Sequence, residues 1–158
     1  MRILNFKILI ILFVFLKFSF LKANDFALVY SSNFKDLIVK TALDSSSKKR
    51  GLMGLRKLKQ YNGMLFIYNS PKKVNIWMHN TFISLDVIFV DKNQIISSIQ
   101  KGIPMSKKIL SSDRLSIAVL ELPSGCAKKL NIKKGDILNW SLKKSSKVQN
   151  NRYFHCLN

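Results

Sequence analysis

Acidic residues are scarce in this chain. It has 8 Asp and Glu against 27 Lys and Arg, a formal charge of +19, and one glutamate, Glu121. Histidine and cysteine are scarcer still: His79, His155, Cys126 and Cys156 are the full set. They form no zinc-type spacing and no His-x-His pattern, so no metal is expected. Missing too are a Gly-x-Ser-x-Gly elbow, a phosphate loop and a dinucleotide fingerprint, so neither a familiar hydrolase nor a cofactor is indicated. No helix-turn-helix, zinc finger or aromatic RNA-binding signature accompanies the positive charge. Its lysines are scattered, with short clusters only at 47–50, 71–73 and 142–147. The charge is therefore read as a solvated surface with no specific nucleic-acid partner, although it would be drawn weakly to anionic surfaces.

The apolar share is 47% of 158 residues, enough for the core of one domain. There is no internal repeat and no long linker. The first segment has Arg2 and Lys7, then an apolar run from Ile8 to Leu21, then Ala23. That order matches a secretory signal peptide cleaved near Ala23. Lys17 interrupts the run, which falls short of the roughly 20 residues of a membrane span. The expectation is a periplasmic or secreted protein. Its mature charge is +15, because Arg2, Lys7, Lys17 and Lys22 leave with residues 1–23. Outside the cell membrane, Cys126 and Cys156 have the choice of one bridge or two separate thiols. A third use, Cys126 as a nucleophile at a helix start, has only His79 and His155 as bases.

From Phe26 onward the apolar runs are short and rich in β-branched and aromatic residues, with turn signals between them. Eight strands are expected, in FALVYS, KDLIVKTAL, MLFIYN, VNIWMHN, LDVIFVD, QIISSIQ, LSIAVLEL and DILNW. Residues 46–59 carry leucines at helical spacing, and residues 124–132 suit a short helix capped by Ser124. The predicted fold is a mostly β (α+β) single compact barrel-like domain with two short helices over residues 24–140. A polar tail follows over 141–158.

Five motifs occur in order: RGLMG (50–54), NGMLFIY (62–68), IWMHNTFISLDVIFVD (76–91), VLELPSG (119–125) and IKKGD (132–136). Together they resemble the family called domain of unknown function 192 (DUF 192), over about residues 36–140. His79 departs from the Lys or Arg more usual there, and Leu55 stands where a basic residue is common. The resemblance implies a small secreted or envelope β domain and no particular activity.

Candidate site residues must therefore come from chemistry. Glu121 alternates with Val119 and Ile117, and Asp86 with Ile88 and Val90, so each carboxylate lies in an apolar strand. A buried carboxylate needs a partner, a bound water or a ligand. Arg50 is the natural partner. One expectation is a cluster of Arg50, Trp77, Asn80, Thr81, Asp86 and Glu121. It would be either a buried knot that pins strand register or an open pocket. The expected function is a non-enzymatic module that binds a small molecule or envelope component. The alternative is a glycan hydrolase with Asp86 and Glu121 as its carboxylate pair and Trp77 as a sugar platform. Met53, Met64 and Met78 read as core filling rather than copper ligands.

Overall fold

A computed structural model describes residues 26–58, 61–144 and Cys156. The expected signal peptide and most of the expected tail lie outside the described residues. Among the described residues there are nine strands: β1 (Phe26–Ser31), β2 (Phe34–Ala42), β3 (Met64–Lys72), β4 (Asn75–Trp77), β5 (Leu85–Asp91), β6 (Ile96–Gly102), β7 (Ile109–Ser111), β8 (Ser116–Pro123) and β9 (Asn139–Lys143). Two helices accompany them, α1 (Ser45–Arg50) and α2 (Cys126–Lys129). All eight expected strands correspond to elements of the fold, but the last is displaced: β9 starts at Asn139 and runs to Lys143 beside β1, so the first three residues of the expected tail belong to the sheet. β7 was not foreseen, because its three residues carry too short a pattern to read.

Seven strands form one sheet in the order β6-β5-β8-β3-β2-β1-β9, while β4 and β7 form a separate ribbon. The expected barrel does not close. β6 and β9 stand at opposite ends of the sheet, and a single bridge between Ile95 and Ile137 links the segments leading into them. Every neighbouring pair is antiparallel except β2 and β3. A parallel pair needs a crossover, and here α1 and the turns after it supply one. That crossover carries the RGLMG motif over one face of the sheet.

Both faces are buried, which is why LDVIFV and IAVLEL read as continuous apolar runs rather than alternating ones. One face packs Leu37, Val39, Ile88, Val90, Leu120 and Leu122 against Ala127, Leu130 and Ile132 around α2. The other packs Met64, Phe66, Val87, Phe89 and Val119 against Leu52 after α1 and against Ile76 and Leu110 of the ribbon. Fully buried side chains such as Ile88, Phe89 and Leu120 each stabilise the fold by about 1.5–3 kcal/mol through burial. Gly63 shows how close the strands approach. A Cβ there would lie 2.0 Å from the carbonyl oxygen of Glu121, in the neighbouring strand.

Local chemistry explains the ends of the helices. The Asp44 carboxylate accepts the Ser47 N–H at 2.8 Å and starts α1. Gly51, at φ +50°, ends it after one and a half turns, so the helix expected over 46–59 is cut short. In α2 the expected Ser124 cap is absent. The Asp86 carboxylate, from β5, accepts the N–H groups of Gly125 and Ala127, both at 2.9 Å.

Candidate functional site

Glu121 lies within β8, opposite Met64 of β3 and Val87 of β5. Residues opposed in an antiparallel ladder share a face, so its side chain belongs to the face beneath α1 and the ribbon. Between those two coverings is a cavity of about 360 Å³. Lys48, Lys49, Arg50 and Leu52 line it from the crossover, Phe66 and Glu121 from the sheet, and Trp77, His79 and Thr81 from the ribbon and its following turn.

The RGLMG stretch builds one wall. The last turn of α1 is Lys48-Lys49-Arg50, and cations are favoured at a helix C-terminus. Gly51 then turns the chain, and a Cβ there would press to 3.3 Å from Phe66 Cζ. Leu52 drops onto the sheet, 2% exposed, while Lys49 and Arg50 stay exposed. The opposite wall is aromatic. Trp77 is half exposed and stacks on His79 with ring centroids 4.5 Å apart and planes 19° apart. Residues two apart on a strand project to the same side, which makes that contact local. Thr81 is buried, with its hydroxyl 3.4 Å from the His79 carbonyl it donates to.

Glu121 is 5% exposed. Among the described residues no donor or cation pairs with its carboxylate. Burial pushes its pKa up from 4.5 to about 8, because a low-dielectric surrounding disfavours the ionised form. At neutral pH it is therefore mostly a neutral carboxylic acid, able both to donate and to accept. Tyr68 in β3 responds to the same environment. Burial first, and the Glu121 charge second, push its hydroxyl up to about 12. Lys48 and Lys72 lie over its ring at 5.1 and 4.6 Å. Burial is the main cause that lowers the Lys48 pKa, helped by Lys72 and opposed by Asp44.

Four of the six expected residues, Arg50, Trp77, Thr81 and Glu121, line this cavity, and two do not. Asn80 is exposed, sits at φ +52°, and its carbonyl accepts the Gly54 N–H at 2.8 Å. Its role is to turn the chain and tie it to the crossover. Asp86 opposes Leu122, so it lies on the other face of the sheet, at α2. The expected ion pair is not formed either: among the described residues Arg50 pairs with neither carboxylate. Asp86 and Glu121 therefore cannot flank one glycosidic bond, and no knot of paired charges pins the register. Lys48, Lys49, Phe66 and His79 belong to the site and were not foreseen. The run SKKR was a visible signal, but it reads as solvent-facing charge until the crossover places it over Glu121.

Cys126 and Cys156 form a disulfide, with Cα atoms 5.6 Å apart. The Cys156 N–H donates to Asn62 Oδ1 at 3.2 Å. A second cavity, of about 370 Å³, lies beside this tie and is lined by Arg56, Tyr61, Asn62 and Pro123 among others. Among the described residues no group of three or more His, Cys, Asp or Glu side chains could hold a metal ion.

The sequence profile of DUF 192, described as an uncharacterized ACR, matches residues 28–140. No curated protein matches the chain. Two solved structures share the fold. One is a "putative transcription regulator" of Sinorhizobium meliloti, 32% identical, covering 73% of this chain and 92% of its own, with a TM-score of 0.66. The other is a protein of unknown function from Novosphingobium aromaticivorans, 31% identical, covering 73% of this chain and 84% of its own, with a TM-score of 0.64.

Proposed function

The chain belongs to the DUF 192 family, whose members carry no assigned reaction, and from the site itself we propose that it is an exported, non-enzymatic domain that binds a small molecule in the cavity above Glu121. One observation carries this reading. Glu121 is a buried carboxyl group without a partner among the described residues, and it faces a cavity rather than packed side chains. Burying such a group costs free energy that a purely structural position would avoid with a leucine. Convergent polar groups in a concave, largely apolar cavity are what a ligand site requires. The cavity volume suits a molecule of one or two rings.

Export is supported by the charged and apolar segment before Ala23 and by the disulfide, which persists in oxidising compartments. The regulator name of the Sinorhizobium protein is not carried over. The helices described here have six and four residues, too short to serve as a recognition helix in a DNA groove.

Native mass spectrometry of the protein purified gently from its own host tests both halves of the proposal. The expected result is a chain that begins near Asn24, two hydrogens lighter than the dithiol, with a reproducible non-covalent adduct. The adduct should be absent from Glu121→Leu. A full-length mass would refute export. An adduct equally present in Glu121→Leu would refute the site, as would a bare native mass combined with no amide shift at Phe66, Trp77 or Glu121 in a fragment screen by nuclear magnetic resonance.

A further inference from the structure

The chemistry of the cavity walls narrows the ligand. One side of the mouth carries Lys49 and Arg50, both exposed and, among the described residues, without an acidic partner. Among the described residues Glu121 is the only acidic one in the lining, and it lies at the sheet, below them. From the ribbon and the turn after it, the lining receives the stacked pair of Trp77 and His79. Leu52 and Phe66 give the interior an apolar surface. A cationic ligand would meet two unpaired cations at the entrance, and an uncharged polar one would leave them unused. An anion pairs with them through charge-assisted hydrogen bonds, and a flat ring suits a lining that includes Leu52, Phe66 and Trp77.

We propose that the cavity takes a small ring-bearing organic anion, with its anionic group at Lys49 and Arg50 and its ring between the apolar floor and Trp77. This assignment rests on the cavity being a ligand site. It also gives Glu121 a task. A neutral carboxyl group donates a hydrogen bond to the ligand without repelling its charge, whereas an ionised one repels it. Burial holds the Glu121 proton to about pH 8, so binding is coupled to that proton and weakens as the pH rises past this value. The other charged or titratable groups around the carboxyl are Lys48, Lys49 and Arg50 from α1, Tyr68 from β3 and His79 after β4. Of these, Lys48 has a lowered pKa, so replacing Glu121 is needed to isolate its share.

The test uses three probes with one ring system: 2-naphthoate, 2-naphthamide and 2-naphthylmethylamine. Each is titrated into the mature protein, with affinity read by calorimetry and location by amide shifts. Naphthoate should bind at least about tenfold more tightly than the amine, the equivalent of one good charge-assisted contact. A Lys49→Gln/Arg50→Gln variant should lose about that factor for naphthoate and leave naphthamide unchanged. Between about pH 6 and about pH 9, naphthoate affinity should fall in the wild type and stay nearly level in Glu121→Gln, since the amide does not titrate. If the three probes bind the cavity equally and the double variant is indifferent, the anion assignment is overturned while the cavity remains a ligand site. If none of them shifts the cavity amides, both readings fail together. A fall with pH that persists in Glu121→Gln would overturn the proton coupling alone.

Discussion

Two carboxylates occupy neighbouring strands of one sheet, one residue out of step, and meet opposite fates. Asp86 points to the α2 face, where it accepts two backbone N–H groups at 2.9 Å each. Glu121 points to the α1 face, where no described group pairs with it and where burial raises its pKa to about 8. The first is satisfied chemistry: an orphaned helix start is met by a carboxylate from another strand, and both gain. The second is unsatisfied chemistry kept in a cavity with cations at its mouth. An acid in an apolar strand is thus not in itself a site. What distinguishes a functional candidate from a structural acid is whether the protein has supplied its partner.

The largest disturbance should come from the residue on which both faces depend. Gly63→Ala places a methyl group against the Glu121 carbonyl, and backbone cannot yield as a flexible side chain can. We expect a loss of more than about 4 kcal/mol, or no folded protein. Urea denaturation checks this, and a loss under about 1 kcal/mol would mean that β3 and β8 lie further apart than described.

Next comes Glu121→Gln, whose effect depends on pH. The folded state holds the Glu121 proton up to about pH 8, while the unfolded chain loses it near 4.5. Between those values the folded state binds more protons, so its stability declines as the pH rises. The amide removes that decline. The variant should match the wild type near pH 4 and exceed it by roughly 4–5 kcal/mol near pH 9. Parallel stability curves across this range would show that Glu121 is solvated or paired after all.

Asp86→Ala tests the satisfied side of the comparison. It removes the acceptor of two N–H groups, and a loss of about 2 kcal/mol is expected. Hydrogen exchange should accelerate first at Gly125 and Ala127. Protection there that remained unchanged would separate α2 from Asp86.

The smallest effect is expected at Arg50, the residue first matched to these acids. Because Arg50 is exposed and, among the described residues, unpaired, Arg50→Met should change stability by no more than about 0.5 kcal/mol. A loss of about 3 kcal/mol would restore the buried ion pair and end the cavity reading.

Much of the fold was legible because it rests on local signals. β-branched runs mark the strands, and alternation within a strand already set Asp86 beside Ile88 and Glu121 beside Val119. Gly51 marks the break after α1, since a positive φ favours that residue type. β7 was missed because three residues carry no readable period, and the extent of α1 was overread because its leucines serve the turns after the helix.

From sequence alone came the family, the β-rich fold, the isolation of the single glutamate in an apolar strand and the cluster of bases at 48–50. Which carboxylate caps a helix and which stands open was decided only in three dimensions. It depends on the register of β5 against β8, where Val87 rather than Asp86 opposes Glu121. It depends equally on a crossover that carries Lys49 and Arg50 over the sheet. Side-chain period is a property of one strand, whereas register and crossover are relations between segments far apart in the chain, settled by the packing of the whole core.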